Sequence, residues 1–377
     1  MSTNSPTRQN KPVFKLNVPD DQFKFQPLPK PSTNLPYHLD LGSVLSENID
    51  RKLVFHMVGD TGSAKQPEFQ RLVAAEMITQ YNQSPTPADR PLFLYHLGDV
   101  VYHFGEAEEY YRQFFEPYKN YPGPIFAIAG NHDSDVNLSA KKPYRSLDPF
   151  VHVFCNTGRK HTSLAEGTGR TTMNQPNIYW TLDTPLATII GLYSNVPKFG
   201  TVTTEQKKWF INELKAAKEL KKVKALIVCI HHAPYSADTN HGSSKPMIEF
   251  LEEAYEQAGV RPHIVFSGHV HNYQRFSKRY ADGSVVPYIV AGAGGYATLF
   301  PIAGVNDMGF TTDSPLLQNV QLDHFCDDQH GFLKITVDRT TGQLTLTGEY
   351  YTIPHTLSTD TKMLVQLNDR FTVDLNA

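Results

Sequence analysis

From Leu53 onward the chain alternates short unbroken apolar runs with amphipathic stretches. LVFHMVGD (53–60), PLFLYHLGD (91–99) and PIFAIAGNHD (124–133) each read as a buried strand that runs out in Gly-Asp or Gly-Asn. Between the first two, residues 67–81 place Phe69, Leu72, Val73, Met77 and Ile78 on one side behind Pro67, which predicts a helix. Residues 106–118 predict an aromatic-rich helix. ATIIGLYS (187–194) predicts a strand, and 205–222 a helix. Strand 223–231, helix 245–258 and strand 262–268 follow, the last running into GHVHNYQRF.

The final third changes period. YIVAGAGG (288–295), GFLKITVDRTTGQLTLTGEYY (331–351) and the tail near 370 predict antiparallel strands, with turns at Asp282-Gly283 and Thr341-Gly342. Residues 140–177 and 300–330 show no strong period and read as irregular insertions. Residues 1–50, rich in Pro, Asn, Ser and Lys, read as an arm that is either extended along the domain or partly disordered. Strand–helix alternation followed by hairpins points to one α/β domain, residues 51–377, around a mixed two-sheet core.

Composition narrows the function classes. A 377-residue chain with 40% hydrophobic and 19% charged residues is ordinary for a globular protein, and a net charge of −3 gives no electrostatic case for nucleic acid. No stretch is long and apolar enough for a membrane span, and the polar first 30 residues lack a secretory apolar core, so a cytoplasmic location is expected. Cys155, Cys229 and Cys326 are an odd set without CxxC spacing, which predicts reduced thiols rather than a disulfide framework.

Five polar clusters sit where apolar strands run out: Gly59-Asp60-Thr61-Gly62, Gly98-Asp99-Val100-Val101-Tyr102, Gly130-Asn131-His132-Asp133, Val228-Cys229-Ile230-His231 and Gly268-His269-Val270-His271. Strand carboxyl ends are where α/β sheets gather ligand sites. Singly, each cluster reads as an ordinary turn, a packed aromatic or a satisfied histidine pair. Together they offer carboxylate, phenolate, amide oxygen and imidazole, a set suited to iron, zinc or manganese with no thiolate to favour a softer metal. Asp99 can bridge two metals, and a metal pair can clamp a phosphoryl group for in-line displacement. His132, beside a ligand but free to protonate, suits a general acid.

The ordered set DxG, GDxxY, GNH(D/E), VxxH and GHxH resembles the purple acid phosphatase branch of the calcineurin-like metallophosphoesterases, over roughly residues 52 to 300. Asp60-Thr61-Gly62 in place of Asp-x-His, paired with Tyr102, is what marks that branch. The resemblance implies a four-layer α/β/β/α sandwich of two mixed sheets and a binuclear centre of Fe(III) plus a divalent ion (Fe, Zn or Mn). Asp60, Tyr102 and His271 would bind the iron, Asn131, His231 and His269 the divalent ion, and Asp99 would bridge. A hydroxide held by the metals would attack a small phosphorylated substrate, a phosphomonoester, with His132 steadying it and protonating the leaving group. A phosphodiesterase using the same metals is the alternative, and a non-catalytic binding protein on this fold is the third reading. The VxxH spacing from Val228 selects His231 over His232, which would then face the phosphate or simply pack.

Other polar residues near the clusters read less sharply. His56, His96 and His103 are expected to support the ligands or the core. Tyr235 to His241 and Asn272-Tyr273 either rim the pocket or form ordinary loop surface. Arg145, Arg159, Lys160 and Arg170 read as a solvated charged loop, with a basic lid over the phosphate as the other option.

Overall fold

Strands and helices form where the apolar pattern puts them, within a few residues. In this computed structural model, which describes residues 7–47, 49–63, 65, 67–353 and 365–375, the N-terminal arm contributes β1 (Phe14–Lys15) and β2 (His38–Asp40). Next come β3 (Lys52–Val58), α1 (Glu68–Asn82), β4 (Leu94–His96), β5 (Ile125–Ala127) and the one-turn α2 (Asn131–Ser134). They lead to α3 (Asp148–Phe154), β6 (Trp180–Asp183), β7 (Ala187–Leu192), α4 (Thr204–Leu220), β8 (Ala225–Ile230), α5 (Lys245–Ala258) and β9 (Ile264–Ser267). The final third supplies β10 (Tyr273–Arg279), β11 (Val285–Ala291), β12 (Phe310–Thr311), β13 (Val320–Cys326), β14 (Gly331–Asp338), β15 (Thr345–Thr352) and β16 (Gln366–Asp374).

Two large mixed sheets result. One runs β13-β10-β11-β9-β8-β7-β6-β2 and the other β16-β15-β14-β3-β4-β5. Strands β3, β4 and β5 are mutually parallel, as are β7, β8, β9 and β11, while the C-terminal hairpins flank them antiparallel. The parallel strands are the continuous apolar runs, and their residues are buried on both faces. Strand β11 meets β14 between the sheets, α1 lies on β14, and α4 packs on β7 and α5. Helices α4 and α5 start at Thr203 and Ser244, whose hydroxyls accept the N–H of Gln206 and Met247 at 3.2 Å. All three cysteines are free and buried.

Several local expectations change. The segment 106–118 winds as a π-helix over Tyr111–Phe115. The two insertions are not wholly irregular, since they carry α3 and β13. Arg170 is neither a lid nor a free surface charge: it is half-buried and donates to the carbonyls of Tyr118, Tyr121 and Gly123 at 3.0, 2.8 and 3.3 Å. It anchors the insertion to the turn after the π-helix.

Candidate metal centre

The parallel strands of both sheets aim their carboxyl ends at one place, and the chain turns sharply as it leaves them. Asp60 follows β3, Asp99 follows β4, Asn131 follows β5, His231 follows β8 and His269 follows β9. Asp60, Asp99 and His269 all sit at left-handed φ (56°, 54° and 66°), a strained conformation that surrounding structure must enforce. Gly98 has φ 97°, and a Cβ there would stand 2.5 Å from His231 Nδ1; one on Gly130 would overlap the Asp99 carboxylate. A side chain at either position would displace the candidate ligands His231 and Asp99.

The protons of the imidazoles show what the centre is built to hold. His231 Nδ1 donates to the Leu97 carbonyl at 2.8 Å, His269 Nε2 to that of Lys198 at 3.2 Å, and His271 Nδ1 to that of Thr298 at 3.1 Å. A carbonyl only accepts, so each ring, when neutral, turns its one proton outward and its lone pair inward. The inward nitrogens face other acceptors. His231 Nε2 lies 3.1 Å from Asn131 Oδ1 and 3.4 Å from Asp99 Oδ2, and His269 Nδ1 lies 2.9 Å from Asn131 Oδ1. His271 Nε2 lies 3.7 Å from Asp60 Oδ1 and 3.3 Å from the Tyr102 hydroxyl, which is itself 3.3 Å from Asp60 Oδ1. Asp99 accepts the His132 N–H at 2.9 Å through Oδ1, while its Oδ2 is buried and, among the described residues, has no hydrogen-bond donor. Ligand atoms of Asp99, His231 and His269 all lie within 4.8 Å of one another. Lone pairs converging on a buried space fit cations, so the residues present suit the metals that the motifs imply.

Electrostatics agree. Burial, and then the Asp99 charge, push the Asp60 carboxyl well above the usual carboxylate range. Burial would raise Asp99 too, but the imidazoles of His231 and His132 outweigh it and hold it well below. Burial would lower His231, yet Asp99 and Asp60 lift it to about 9, so a proton occupies the place a cation would take. His269 is pushed far down by burial and by the neighbouring His232 and His241. Behind the centre, the Asp133 carboxylate gathers the N–H groups of Gly130, Val101 and Val100 at 2.8, 3.0 and 3.2 Å, tying the second and third loops together.

A cavity of about 290 Å³ opens onto these ligands. His132 lines it, its Nδ1 held by the His103 carbonyl at 2.9 Å. His232 does not line it. That ring is fully buried, accepts or donates at 2.7 Å with the Ser194 hydroxyl, and packs 4.2 Å from the His269 ring. Of the stretch Tyr235 to His241, Asn240 and His241 reach the cavity, and buried Asp238 holds the His241 ring at 3.1 Å. Asn272 is buried and bonds the Phe300 carbonyl, while His96 bonds Thr61 and His56 bonds Tyr121 and Gln80. The reading of single motifs did not find Asp21, Lys24, Lys198, Tyr296 or Phe300, which also line the cavity. Of these, only Lys198 and Tyr296 stood near a recognisable strand end.

A fold of this kind, with these donors at its strand ends, is that of a metallophosphoesterase. The chain belongs to the calcineurin-like phosphoesterase family, whose model matches residues 53–273, the span holding every candidate ligand. Within it the chain is purple acid phosphatase-like. It is 26% identical over 262 residues to purple acid phosphatase 1 of Ipomoea batatas, covering 67% of this chain and 46% of that protein. It is 24% identical over 267 residues to tartrate-resistant acid phosphatase type 5 of Rattus norvegicus, covering 65% and 73%. The chain thus spans less than half the length of the Ipomoea relative. Among solved structures, GAP50, the anchor in the inner membrane complex of Plasmodium, superposes with a TM-score of 0.54 at 15% identity over 86% of this chain and 89% of that one, a likeness of fold. Among the described residues, no helix is long and apolar enough to cross a membrane.

Proposed function

We propose that this chain is a metal-dependent phosphoric ester hydrolase acting on small phosphomonoesters, with residues 51–377 as its catalytic domain. The observation that carries the reading is that one ring nitrogen of each of His231, His269 and His271 meets a backbone carbonyl, so that each ring, when neutral, turns a lone pair toward buried oxygens. In this assignment Asp60, Tyr102 and His271 hold one cation, Asn131, His231 and His269 hold the other, and Asp99 bridges. On the resemblance of the ligand motifs to purple acid phosphatases, the first place is assigned Fe(III) and the second a divalent Fe, Zn or Mn. Two cations there would supply Lewis-acid activation of a water and neutralisation of phosphoryl charge.

The chain's own groups do the rest. Burial and the charges of Asp99 and Asp60 hold the Tyr102 phenol well above its ordinary range, so without a strongly charged cation it stays protonated. The His103 carbonyl holds the Nδ1 side of His132, so Nε2 of this cavity-lining ring is the nitrogen left to give a proton to the leaving oxygen. His232 is assigned a place behind His269, holding that ligand's ring by packing rather than touching phosphate.

Purified protein loaded with iron and a divalent metal is expected to bind two ions, absorb visible light through tyrosinate–iron charge transfer, and hydrolyse nitrophenyl phosphate. Tyr102→Phe should lose the colour. A fully metallated but colourless wild type without iron would overturn the Tyr102 assignment, and much faster cleavage of the bis-nitrophenyl ester would overturn the monoester preference.

A further inference from the structure

The N-terminal arm reaches the catalytic cavity, and its route is fixed on both sides of the mouth. On one side, Val13 exchanges backbone hydrogen bonds with Ser236 and Ser243, the Lys15 ammonium bonds the Asn240 carbonyl at 2.8 Å, and Leu16 N–H bonds Gly309. On the other, the Gln26 backbone N–H donates to the Asn195 side-chain oxygen at 2.9 Å and the Gln26 carbonyl accepts from the Asn195 side-chain amide at 2.8 Å. Residues 17–25 are strung between these anchors. At their middle, both oxygens of Asp21 accept the backbone N–H of Lys198 at 3.1 Å, and the Gln22 amide oxygen accepts the Thr201 hydroxyl at 2.7 Å.

Lys198 therefore has two partners on opposite sides of its peptide: Asp21 of the strap holds its N–H, and its carbonyl holds His269 Nε2. Its ammonium is left over. The side chain is half-buried on the cavity wall, yet among the described residues no carboxylate or carbonyl forms an ion pair or hydrogen bond with its Nζ. A half-desolvated cation without a counter-ion is costly unless an anion comes to it. The metal ligands are already matched to cations, so this charge is surplus to the reacting phosphoryl group. Lys24, loosely paired with Asp21 at 3.5 Å, adds a second cation to the same wall.

We infer that Lys198, positioned by Asp21 of the N-terminal strap and supported by Lys24, is a specificity-determining residue that binds a second anionic group on the leaving portion of the substrate. The inference rests on the proposed phosphomonoesterase reading and names its substrate class: phosphomonoesters bearing a further carboxylate or phosphoryl group. A cavity of about 290 Å³ suits small molecules of that kind.

The test compares phenyl phosphate with para-carboxyphenyl phosphate, which differ by one anion, on the metal-loaded full chain. Wild type should favour the carboxylated ester, and Lys198→Gln should collapse the ratio of the two kcat/KM values by about tenfold, as expected for a charge-assisted hydrogen bond. Lys198→Arg should restore most of it, and Asp21→Asn should move the ratio the same way by a smaller factor, with metal content unchanged. Pyrophosphate and phosphate as competing inhibitors distinguish a phosphoryl from a carboxylate as the preferred second anion. Ratios that stay within twofold across these variants overturn the inference. A wild type that hydrolyses neither ester defeats the phosphomonoesterase reading instead. Calorimetric affinities of the two esters for wild type and Lys198→Gln then decide the inference alone, through the same tenfold ratio.

Discussion

Two places in this molecule put imidazole against paired carboxylates, and they do opposite things with the protons. On the arm, the His38 ring donates from Nδ1 to Asp183 at 2.7 Å and from Nε2 to Glu213 at 2.6 Å. Both partners only accept, so the ring is an imidazolium whose charge is fully used. At the strand ends, three rings spend their protons outward on carbonyls and face oxygens across 2.9 to 3.7 Å. The first arrangement is a closed ion-pair clasp that pins β2 beside β6. The second sets ring nitrogens against oxygens with no such closed pairing, the arrangement that suits a bound cation. Residue type is nearly the same in both; the placement of a few backbone carbonyls decides which becomes a candidate metal site.

The contrast can be broken most severely at Asp99. Replacing this proposed bridge, Asp99→Asn, should strip metal and lower kcat/KM by roughly a thousandfold or more, beyond the 10–100-fold typical of residues that merely support ligands. Metal analysis and nitrophenyl phosphate turnover check it together, and full retention of both would show that the centre is not the site of chemistry. His132→Ala sharpens the same picture from the side of the proton. It should leave both metals bound and lower kcat by about a hundredfold for esters with poor leaving groups. The loss should be smaller for nitrophenyl phosphate, whose leaving oxygen needs little help. An equal loss for both would remove His132 from the general-acid role.

That the candidate residues come together was legible because each follows a continuous apolar run, and such runs become the parallel strands whose ends meet. The spacing favours His231 over His232 as the candidate, and in the structure His231 lies against Asn131 and Asp99 while His232 lies against Ser194. What the sequence did not disclose depends on contacts between distant segments. Asp21 meets Lys198 across 177 residues through a backbone N–H, which has no side-chain signature. Arg170 resembles a surface charge in a loop rich in Gly and Thr, and only the fold supplies the three carbonyls that hold it. Helix α3, at seven residues, is too short for its period to stand out. The clasp at His38 lies in a stretch whose Pro and Asn content argued for an extended or partly disordered arm.

That clasp gives the smallest effect and the clearest separation of the two regions. The two carboxylates lift His38 to about 10, above the value near 6.5 of an unfolded chain. A raised folded value means that the clasp's contribution is complete below pH 6.5 and is lost as pH climbs from there through about 10. The His38 side chain is 36% exposed, so solvent screening cuts the contribution to about 1 kcal/mol rather than the full value of such a shift. His38→Gln should therefore lower unfolding free energy by about that much at pH 6 in urea titrations, with the difference vanishing near pH 10. The loss should be the same with metal bound or chelated, since distant sites add independently. A loss that persists at pH 10 would make the ring a packing element, and a loss that depends on metal would couple the arm's clasp to the centre it contrasts with.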